Sequence, residues 1–481
     1  MEKIDHFLDG FFWPKSVAIV GATNNSTKTN YRLTQNLVSL GYKGKIFPVN
    51  PKEKEILGVK AYQRLGDIQD GIDMVVVGIR PELVLDIVKE CDELGIKRLV
   101  IVTGGFSEAG AGGKKLNEEI RAFVKAKGIR TLGPNTLTPT NTAINLVLSY
   151  FHLKNYKRGS LSFGFQSGFY EPKMNWIFSH LGINKMLDMG NKIDVNEVDA
   201  LEYFSLDPST KVIAMHIESL QGDGRKFFKV LKEVSQKKPT IILKSGRTGA
   251  GSKAAASHTG AIARENDVIF DSMIRQTAAI RAQNVEDFFD LAKIFEYLDP
   301  PRGDRLAILT MSGGEGVMAT DASEMYDFRL ADLGPETIES VKRVFPPWEI
   351  PVNPFDVGVS MQFHLANLPG FFSSLAAIPK DENVDCMVMQ MPPNLFDFVL
   401  SDGQAMSAET QTLVNDYIQV FVDMKNSGKP FAIWRAGMDA QEQMMVDIFQ
   451  SHCVPVFPSS VRAVKAMAAM NRYRKRTSQK E

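Results

Sequence analysis

Short apolar runs alternate with amphipathic segments along the first 150 residues, and this rhythm constrains the possible folds more than any other feature of the chain. A strand, a crossover helix and a second strand in succession are typical of βαβ units, which build doubly wound parallel sheets. The predicted strands cover 16–20, 45–49, 74–77 and 99–102, and the predicted helices cover 31–40, 81–93 and 113–126. We therefore expect an α/β fold that opens with a Rossmann-like domain over residues 1–150.

The same rhythm returns twice further along the chain. Strands are predicted at 159–165, 211–217 and 239–243, and again at 306–310, 386–391 and 430–434. A final helix is predicted over 460–472, with the basic tail 472–476 as a solvated end. These patterns predict two further doubly wound domains, at residues 158–299 and 303–475. With 481 residues, of which 44% are hydrophobic, the chain can give each domain a core.

The composition excludes several classes of function. Lys+Arg and Asp+Glu are equal at 56 each, so no net field attracts nucleic acid or an anionic membrane. Cys91, Cys386 and Cys453 are widely spaced, which suits a reducing cytoplasm and predicts three core residues rather than a disulfide or a zinc site. No segment approaches the roughly 20 apolar residues of a membrane span, and no signal peptide is evident. We expect a cytoplasmic protein with no metal site of its own.

One histidine stands in surroundings that suit covalent chemistry. The predicted strand 239–243 runs into Lys244–Thr248, and a Gly/Ala/Ser loop then leads to Ser257–Ala261, where a helix can begin. Free amides at a helix start form an anion site, and His258 beside them can accept a phosphoryl group. Gly260 lets the backbone approach closely. The alternative is that His258 is an ordinary loop histidine near a helix cap.

Two more strand ends belong to the same predicted sheet. Strand 159–165 runs into Gln166-Ser167-Gly168, and a helix is predicted to begin at the glycine. Strand 211–217 ends at Glu218, whose carboxylate can fix the tautomer of an imidazole and raise its nucleophilicity. Alternatively, Glu218 caps the helix that follows it. His216 lies within the strand and is predicted to be a packed residue.

The loops after the strands of the first domain are predicted to line one ligand-binding crevice, because ligands of open α/β sheets bind at the carboxyl ends of strands. The first loop is not G-x-G-x-x-G, and Asn50 stands where an NAD enzyme needs an acid, so nicotinamide is disfavoured. A nucleotide with extra phosphates fits better. Taken singly, the basic side chains can equally be solvated. The candidate contacts are Gly21, Ala22, Thr23, Lys28, Asn50, Lys52, Arg80, Thr103, Gly104 and Asn135.

Taken together, these motifs resemble those of nucleoside-diphosphate-forming acyl-CoA synthetases, which are relatives of succinyl-CoA ligase. The likeness is to the α subunits of ADP-forming acetyl-CoA synthetases, and it extends over nearly the full length. The residues that carry it are Gly21–Thr23, Pro48–Lys52, Gly133–Asn135, Gln166–Gly168, Gly190–Lys192, Lys244–Arg247, Ser257–Ala261 and Asn353–Asp356.

The resemblance implies a CoA-binding domain followed by two flavodoxin-like, succinyl-CoA ligase-like domains. It also implies that His258 is transiently phosphorylated and that Glu218 stabilises it. Two helix starts would hold the phosphoryl group, Gln166-Ser167-Gly168 and Thr259-Gly260. In the family, acyl-CoA and phosphate give acyl phosphate and CoA, then phosphohistidine and the free acid, and finally ATP from ADP.

No G-x-x-x-x-G-K-[ST] loop and no segment resembling an ATP-grasp domain are present in the sequence. The resemblance therefore implies a separate ATP-grasp β subunit that binds ADP or ATP with Mg2+, in an α2β2 type of assembly. The flexible run 249–257 suits a histidine loop that moves between the thioester site and the nucleotide site.

Two positions depart from the family pattern. Relatives usually have a small residue after Gln-Ser-Gly and a cysteine after Gly-Pro-Asn, whereas this chain has Phe169 and Thr136. The identity of the acid that forms the thioester is therefore not determined. A second possible function is that of a CoA-binding subunit that never carries phosphate. A third, an NAD-dependent enzyme, is disfavoured by Asn50.

Overall fold

The computed structural model describes residues 3–137, 139–166, 168–251, 253–254, 267–392, 408–437 and 440–478. The chain forms two compact units, Met1–Phe288 and Phe289–Glu481. Four of the predicted site residues, Ser167, His258, Thr259 and Gly260, lie outside the described residues. Over the described ranges, no helix is both long enough and apolar enough to cross a bilayer.

The first sheet has five parallel strands. In chain order its strands are β1 (Ser16–Val20), β2 (Lys45–Val49), β5 (Met74–Val77), β6 (Arg98–Ile101) and β7 (Arg130–Leu132). A separate antiparallel pair, β3 (Glu55–Ile56) and β4 (Val59–Lys60), lies between β2 and β5 in the chain. They lie in the order β2-β1-β5-β6-β7, so the chain reverses direction across the sheet between β1 and β5. Such a switch point opens a crevice at the carboxyl edge of the sheet.

Three of the four connections between strands of the first sheet contain an α-helix, as the sequence predicts, whereas the connection from β2 to β5 contains the β3–β4 pair and a 3-10 turn. The helices are Asp9–Phe12, Tyr31–Ser39, Val84–Glu93 and Ala111–Lys127. The helix predicted from Pro81 opens with a 3-10 turn, Pro81–Leu83. A proline suits this first turn because it has no N–H to satisfy there.

The second sheet has seven strands in the order β14-β13-β12-β10-β11-β8-β9. The five parallel ones repeat the order of the first sheet, with a switch point between β10 and β12. The strands are β8 (Thr140–Asn141), β9 (Leu146–Val147), β10 (Arg158–Phe165), β11 (Ile183–Asp188), β12 (Val212–Ile217), β13 (Thr240–Lys244) and β14 (Ile280–Ala282). The accompanying helices are Met174–His180, Glu197–Leu206, Gly224–Lys237, Asp267–Arg275 and Val285–Tyr297.

Strand β11 was not predicted because three of its six residues, Asn184, Lys185 and Asp188, are polar. Asn184 and Lys185 are buried, and both donate to the Asp207 carboxylate, over 2.8 and 2.6 Å. Two short strands, β8 and β9, lie within the predicted first domain, yet β8 pairs with β11 of the second sheet. The apolar core is shared in the same way, since one cluster contains Val17 of β1 and Ile213 of β12. The division of this unit into two domains stays a prediction.

The third sheet belongs to the second unit. Its strands are β15 (Arg305–Thr310), β16 (Arg329–Leu330), β17 (Phe355–Asp356), β18 (Cys386–Gln390), β19 (Phe431–Trp434) and β20 (Val456–Phe457). They lie in the order β16-β15-β18-β19-β20, with β17 also paired to β15. The helices are Gly313–Met325, Pro335–Lys342, Val357–Met361, Leu368–Leu375, Ala408–Asn426, Ala440–Ser451 and Ser460–Ser478.

The final helix extends the predicted one through the basic tail to Ser478. The tail 472–476 is solvated in large part, as predicted, since Arg472, Lys475 and Arg476 are exposed. Tyr473 is its buried residue and packs edge-on against Phe295, with the ring centroids 5.6 Å apart.

We predict that Asp207→Asn lowers the free energy of unfolding by about 3 kcal/mol, because it leaves the Lys185 ammonium buried without a countercharge. Urea-induced unfolding measures this change. As a matched control, Asp70→Asn breaks the exposed pair with Lys45 and should cost less than about 1 kcal/mol. Equal effects of the two substitutions would contradict the role given to the buried pair.

Candidate active site

The loop after β1 is shaped by a glycine. Gly21 has φ of +90°, and a Cβ there would lie 2.4 Å from the carbonyl oxygen of Gly78, the residue after β5. Only glycine allows these two strand ends to approach so closely. The Asn50 amide, after β2, donates to the Ala22 carbonyl over 2.7 Å. The loops after β1, β2 and β5 therefore meet in one place, as the sequence predicts.

The remaining candidate contacts of the first sheet lie around this point. The Thr103 hydroxyl, just after β6, donates to the Ile79 carbonyl over 2.6 Å, and the Asn135 N–H donates to the Thr103 carbonyl over 3.0 Å. Among the others, Ala22 and Thr23 are buried, Gly21, Asn50 and Gly104 are half-buried, and Lys28, Lys52, Arg80 and Asn135 are exposed. Exposed basic side chains beside glycine loops can reach phosphates of a bound ligand.

The loop after β7 joins the first sheet to the second. The Asn191 N–H donates to the Pro134 carbonyl over 2.9 Å, and the Ile193 N–H donates to the Gly133 carbonyl over 3.1 Å. Gly190 has φ of +54°, and a Cβ there would lie 2.2 Å from the Pro134 carbonyl oxygen. Two of the motifs singled out in the sequence therefore pack directly against each other.

A buried carboxyl group completes this junction. Asp188, at the end of β11, accepts hydrogen bonds from the N–H groups of Leu137 and Gly190, over 3.2 and 3.0 Å. The Thr136 hydroxyl donates to the Asp188 carbonyl oxygen over 2.5 Å. Burial raises the pKa of Asp188 to about 7, and the nearby Glu218 carboxylate adds to the rise. Sequence analysis missed Asp188 because it missed the strand that carries it.

The loop after β12 is held in place by Gln166, which follows β10. The Gln166 amide oxygen accepts from the N–H groups of Glu218 and Ser219, over 3.2 and 3.3 Å, and from the Lys192 ammonium over 3.0 Å. Glu218 follows β12 directly and is half-buried. Its place at the carboxyl edge of the sheet agrees with the prediction from the sequence.

Lys192 is the buried cation of this arrangement. Its ammonium pairs with the Glu197 carboxylate over 3.0 Å and donates to the Ser219 carbonyl over 2.5 Å, and both charged side chains are buried. Glu197 in turn accepts from the Gln221 N–H over 2.6 Å. Residues 218–221 are therefore fixed by one buried ion pair and one amide.

Lys244 links the next two strand ends. Its ammonium donates to the carbonyl oxygens of Glu218 and Ser245, over 2.8 and 2.7 Å, so the loops after β12 and β13 lie side by side. Arg247 pairs with Asp267 over 3.4 Å and donates to the Gln283 carbonyl over 3.1 Å. The His258 segment thus departs from a fixed loop, although His258 itself lies outside the described residues.

The helix predicted to begin at Gly168 and run toward His180 is present. It begins as a 3-10 helix, Gly168–Lys173, and continues as the α-helix Met174–His180. His216 is buried, as predicted for a packed residue.

Comparisons with known proteins define the class. Residues 15–141 match a CoA binding domain model, and residues 158–295 match the model of the succinyl-CoA ligase like flavodoxin domain. The chain is 32% identical over 478 residues to the α subunit of ADP-forming acetate–CoA ligase I from Pyrococcus furiosus, covering 97% of this chain and 98% of the relative. It is 32% identical over 477 residues to ADP-forming acetate–CoA ligase II from Archaeoglobus fulgidus, covering 98% of this chain and 68% of that protein.

A solved structure matches the whole fold. It is the dinucleotide forming acetyl-coenzyme A synthetase 1 from Ca. Korarchaeum cryptofilum in complex with phosphate and ADP, with a TM-score of 0.84 and 31% identity. The match covers 98% of this chain and 97% of that one. The chain belongs to the family of ADP-forming acyl-CoA ligases, and within it the chain corresponds to the α subunit.

We predict that Gly190→Ala disrupts the junction between the sheets, because its Cβ would overlap the Pro134 carbonyl and its φ would be strained. The free energy of unfolding should fall by about 2 kcal/mol, measured by urea titration. Gly224→Ala is the matched control, since no atom lies within 4 Å of its Cβ, and its effect should stay below about 0.5 kcal/mol. Equal stability of the two variants would refute the close packing of this loop.

We also predict a pH dependence that belongs to Asp188. The native carboxyl keeps a proton that the unfolded one, with a pKa of 3.8, releases. Its contribution to the free energy of unfolding therefore falls as the pH rises from about 4 to about 7, and is constant above. Between pH 5 and 8 the wild type should lose on the order of 2 kcal/mol relative to Asp188→Asn, which cannot titrate.

Urea titrations at several pH values measure this difference. The exposed Asp86 serves as control, and Asp86→Asn should follow the wild-type pH profile. Parallel profiles for the wild type and Asp188→Asn would show that Asp188 does not titrate in this range.

Proposed function

We propose that this chain interconverts acyl-CoA, ADP and phosphate with a carboxylic acid, CoA and ATP, through an acyl phosphate and a phosphohistidine at His258. The observation that carries the proposal is the fixed edge of the second sheet. Gln166 and Lys244 bind the backbone of Glu218, and Lys192 binds Gln166 and the Ser219 carbonyl. The next strand, β13, ends at the same edge and leads on to the His258 segment. A carboxylate held beside an imidazole can orient it for attack on a phosphoryl group.

Coenzyme A fits the crevice of the first sheet. The close approach of Gly21 to Gly78 brings the loops after β1 and β5 together, and Lys28, Lys52 and Arg80 are exposed on the loops after β1, β2 and β5. We assign the CoA contacts to these residues and to Ala22, Thr23, Asn50, Thr103, Gly104 and Asn135. The loop Gly133–Asn135 contacts the second sheet, which supports a thioester placed between the two edges.

The chemistry then runs in three balanced steps. A phosphate oxygen attacks the thioester carbon, so acyl phosphate forms and the CoA thiolate leaves. His258 attacks the phosphorus of the acyl phosphate, and the carboxylate leaves. The phosphoryl group finally passes from His258 to ADP, which restores the imidazole. Ser167, Gly168, Thr259 and Gly260 are the proposed phosphoryl-binding residues, with Gln166 as the support of the loop.

The last step needs a nucleotide site, which we place on a partner. The Pyrococcus furiosus relative is named as a subunit alpha. We propose an ATP-grasp β subunit that binds ADP or ATP with Mg2+, in an α2β2 type of assembly. Mg2+ there would neutralise phosphate charge during transfer. Cys91, Cys386 and Cys453 are all free thiols, which supports a cytoplasmic location; Cys453, predicted to be a core residue, is only half-buried.

A CoA-binding subunit without catalysis is the alternative. This alternative rests on the two positions that depart from the family pattern, Thr136 and Phe169. Thr136 is accommodated in the fold, since it is buried and donates to Asp188, so this departure does not argue for a lost activity. The side chain of Phe169 lies outside the described residues.

We predict that the wild type, incubated with phosphate and a panel of acyl-CoAs, forms an acid-labile phosphoryl adduct on the His258 peptide. His258→Ala should form none and bind CoA with unchanged affinity, because the CoA contacts lie on the first sheet. Peptide mapping by mass spectrometry under non-acidic conditions measures the adduct. The exposed His452 provides the control, and His452→Ala should keep the adduct.

The acyl-CoAs that give the adduct define the substrate class. Absence of any adduct in the wild type, with the partner and ATP supplied and CoA still bound, would support the non-catalytic subunit instead.

A further inference from the structure

A buried histidine lies near the carboxyl end of β12. His216 is on β12, two residues before Glu218, and its side chain is 5% exposed. Its Nε2 contacts the Ser245 hydroxyl oxygen. Its ring stands edge-on to Tyr170, with the centroids 5.5 Å apart. The proposed function uses neither His216 nor Ser245.

The protonation of His216 follows from its surroundings. Burial lowers the pKa of His216 to about 4, and the Lys244 ammonium adds to the effect, so the imidazole is neutral near pH 7. A neutral imidazole carries one N–H. Across the described residues, His216 Nδ1 has no hydrogen-bond partner. An unpaired N–H in the core is rarer than an unpaired acceptor, which places the proton on Nε2.

Ser245 therefore accepts a hydrogen bond from His216, and its own proton is left for another acceptor. Ser245 is the first residue after β13 and is half-buried at the carboxyl edge. Its N–H donates to the Ile217 carbonyl over 3.0 Å, and its carbonyl shares the Lys244 ammonium with that of Glu218. The hydroxyl is thus held next to the Glu218 loop.

A phosphoryl group in this place needs such a donor. The unprotonated oxygens of a phosphoryl group accept hydrogen bonds, and the Glu218 carboxylate repels them, so neutral donors at the edge offset the repulsion. We propose that Ser245 donates its hydroxyl proton to a phosphoryl oxygen beside Glu218, and that His216 is the positioning residue that fixes this hydroxyl. The inference rests on the proposed function and names a further residue in contact with the transferred group.

Steady-state rates at varied phosphate test this assignment in the α subunit assembled with its nucleotide-binding partner. Ser245→Ala should raise the KM for phosphate about tenfold, the loss of one hydrogen bond to a charged group, and change the KM for acyl-CoA less than twofold. Ser245→Thr, which keeps the hydroxyl, should restore most of the loss. Ser245→Cys keeps the size with a weaker donor and should be intermediate. Ser209→Ala is the control and should match the wild type.

His216 is tested through Ser245. His216→Leu should raise the KM for phosphate about threefold in the wild type, and add nothing in the Ser245→Ala background, because it acts only through that hydroxyl. Additive effects would reduce His216 to a packing residue and overturn its positioning role. If Ser245→Ala leaves folding hampered, Ser245→Cys with a wild-type KM for phosphate would likewise overturn the assignment.

The two levels of failure are distinguishable. A wild type that forms phosphohistidine, together with a Ser245→Ala variant of unchanged phosphate KM, refutes the role of Ser245 alone. A wild type that forms no phosphohistidine refutes the proposed function, and the role of Ser245 with it.

Discussion

The buried ammonium of Lys192 is the interaction on which the site depends. It binds Gln166 from one strand end, Ser219 from the next, and the Glu197 carboxylate that compensates its charge. A buried charge of this kind is tolerated only when its partners are in place, so the loops after β10 and β12 have one arrangement. The position of Glu218 follows from this network, since its own N–H is bound by Gln166.

The second constraint joins the two sheets of the first unit. Gly190 packs against Pro134, and Asp188 accepts N–H groups from both sides of the contact. These contacts bring the loop after β7, which belongs to the proposed CoA crevice, against the loop after β11. A thioester carried by the first sheet can therefore be presented to groups held by the second without a change of fold.

Much of the fold, and the placing of several site residues at strand ends, could be predicted from the sequence, because βαβ periodicity and glycine turns are local signals. The strand before Gly21 and the place of Glu218 at a strand end are examples. What could not be predicted depends on partners distant in the chain. The sequence of strand β11 is too polar to predict a buried strand. Lys185 can be buried there because the carboxylate of Asp207, 22 residues away, compensates its charge. The roles of Asp188 and of the buried Lys192 ion pair were not predicted either, because the periodicity of a sequence does not indicate which polar residues will be buried.

Hydrogen exchange of the backbone amides, with CoA and phosphate added separately and together, tests most directly whether one site spans both sheets. We predict that CoA protects the backbone amides of the loops at 21–23, 50–52, 103–104 and 133–135. Phosphate added with CoA should extend the protection to 166–168 and 218–221. Protection confined to the first sheet under all three conditions would contradict a shared site and leave the chain a CoA-binding subunit.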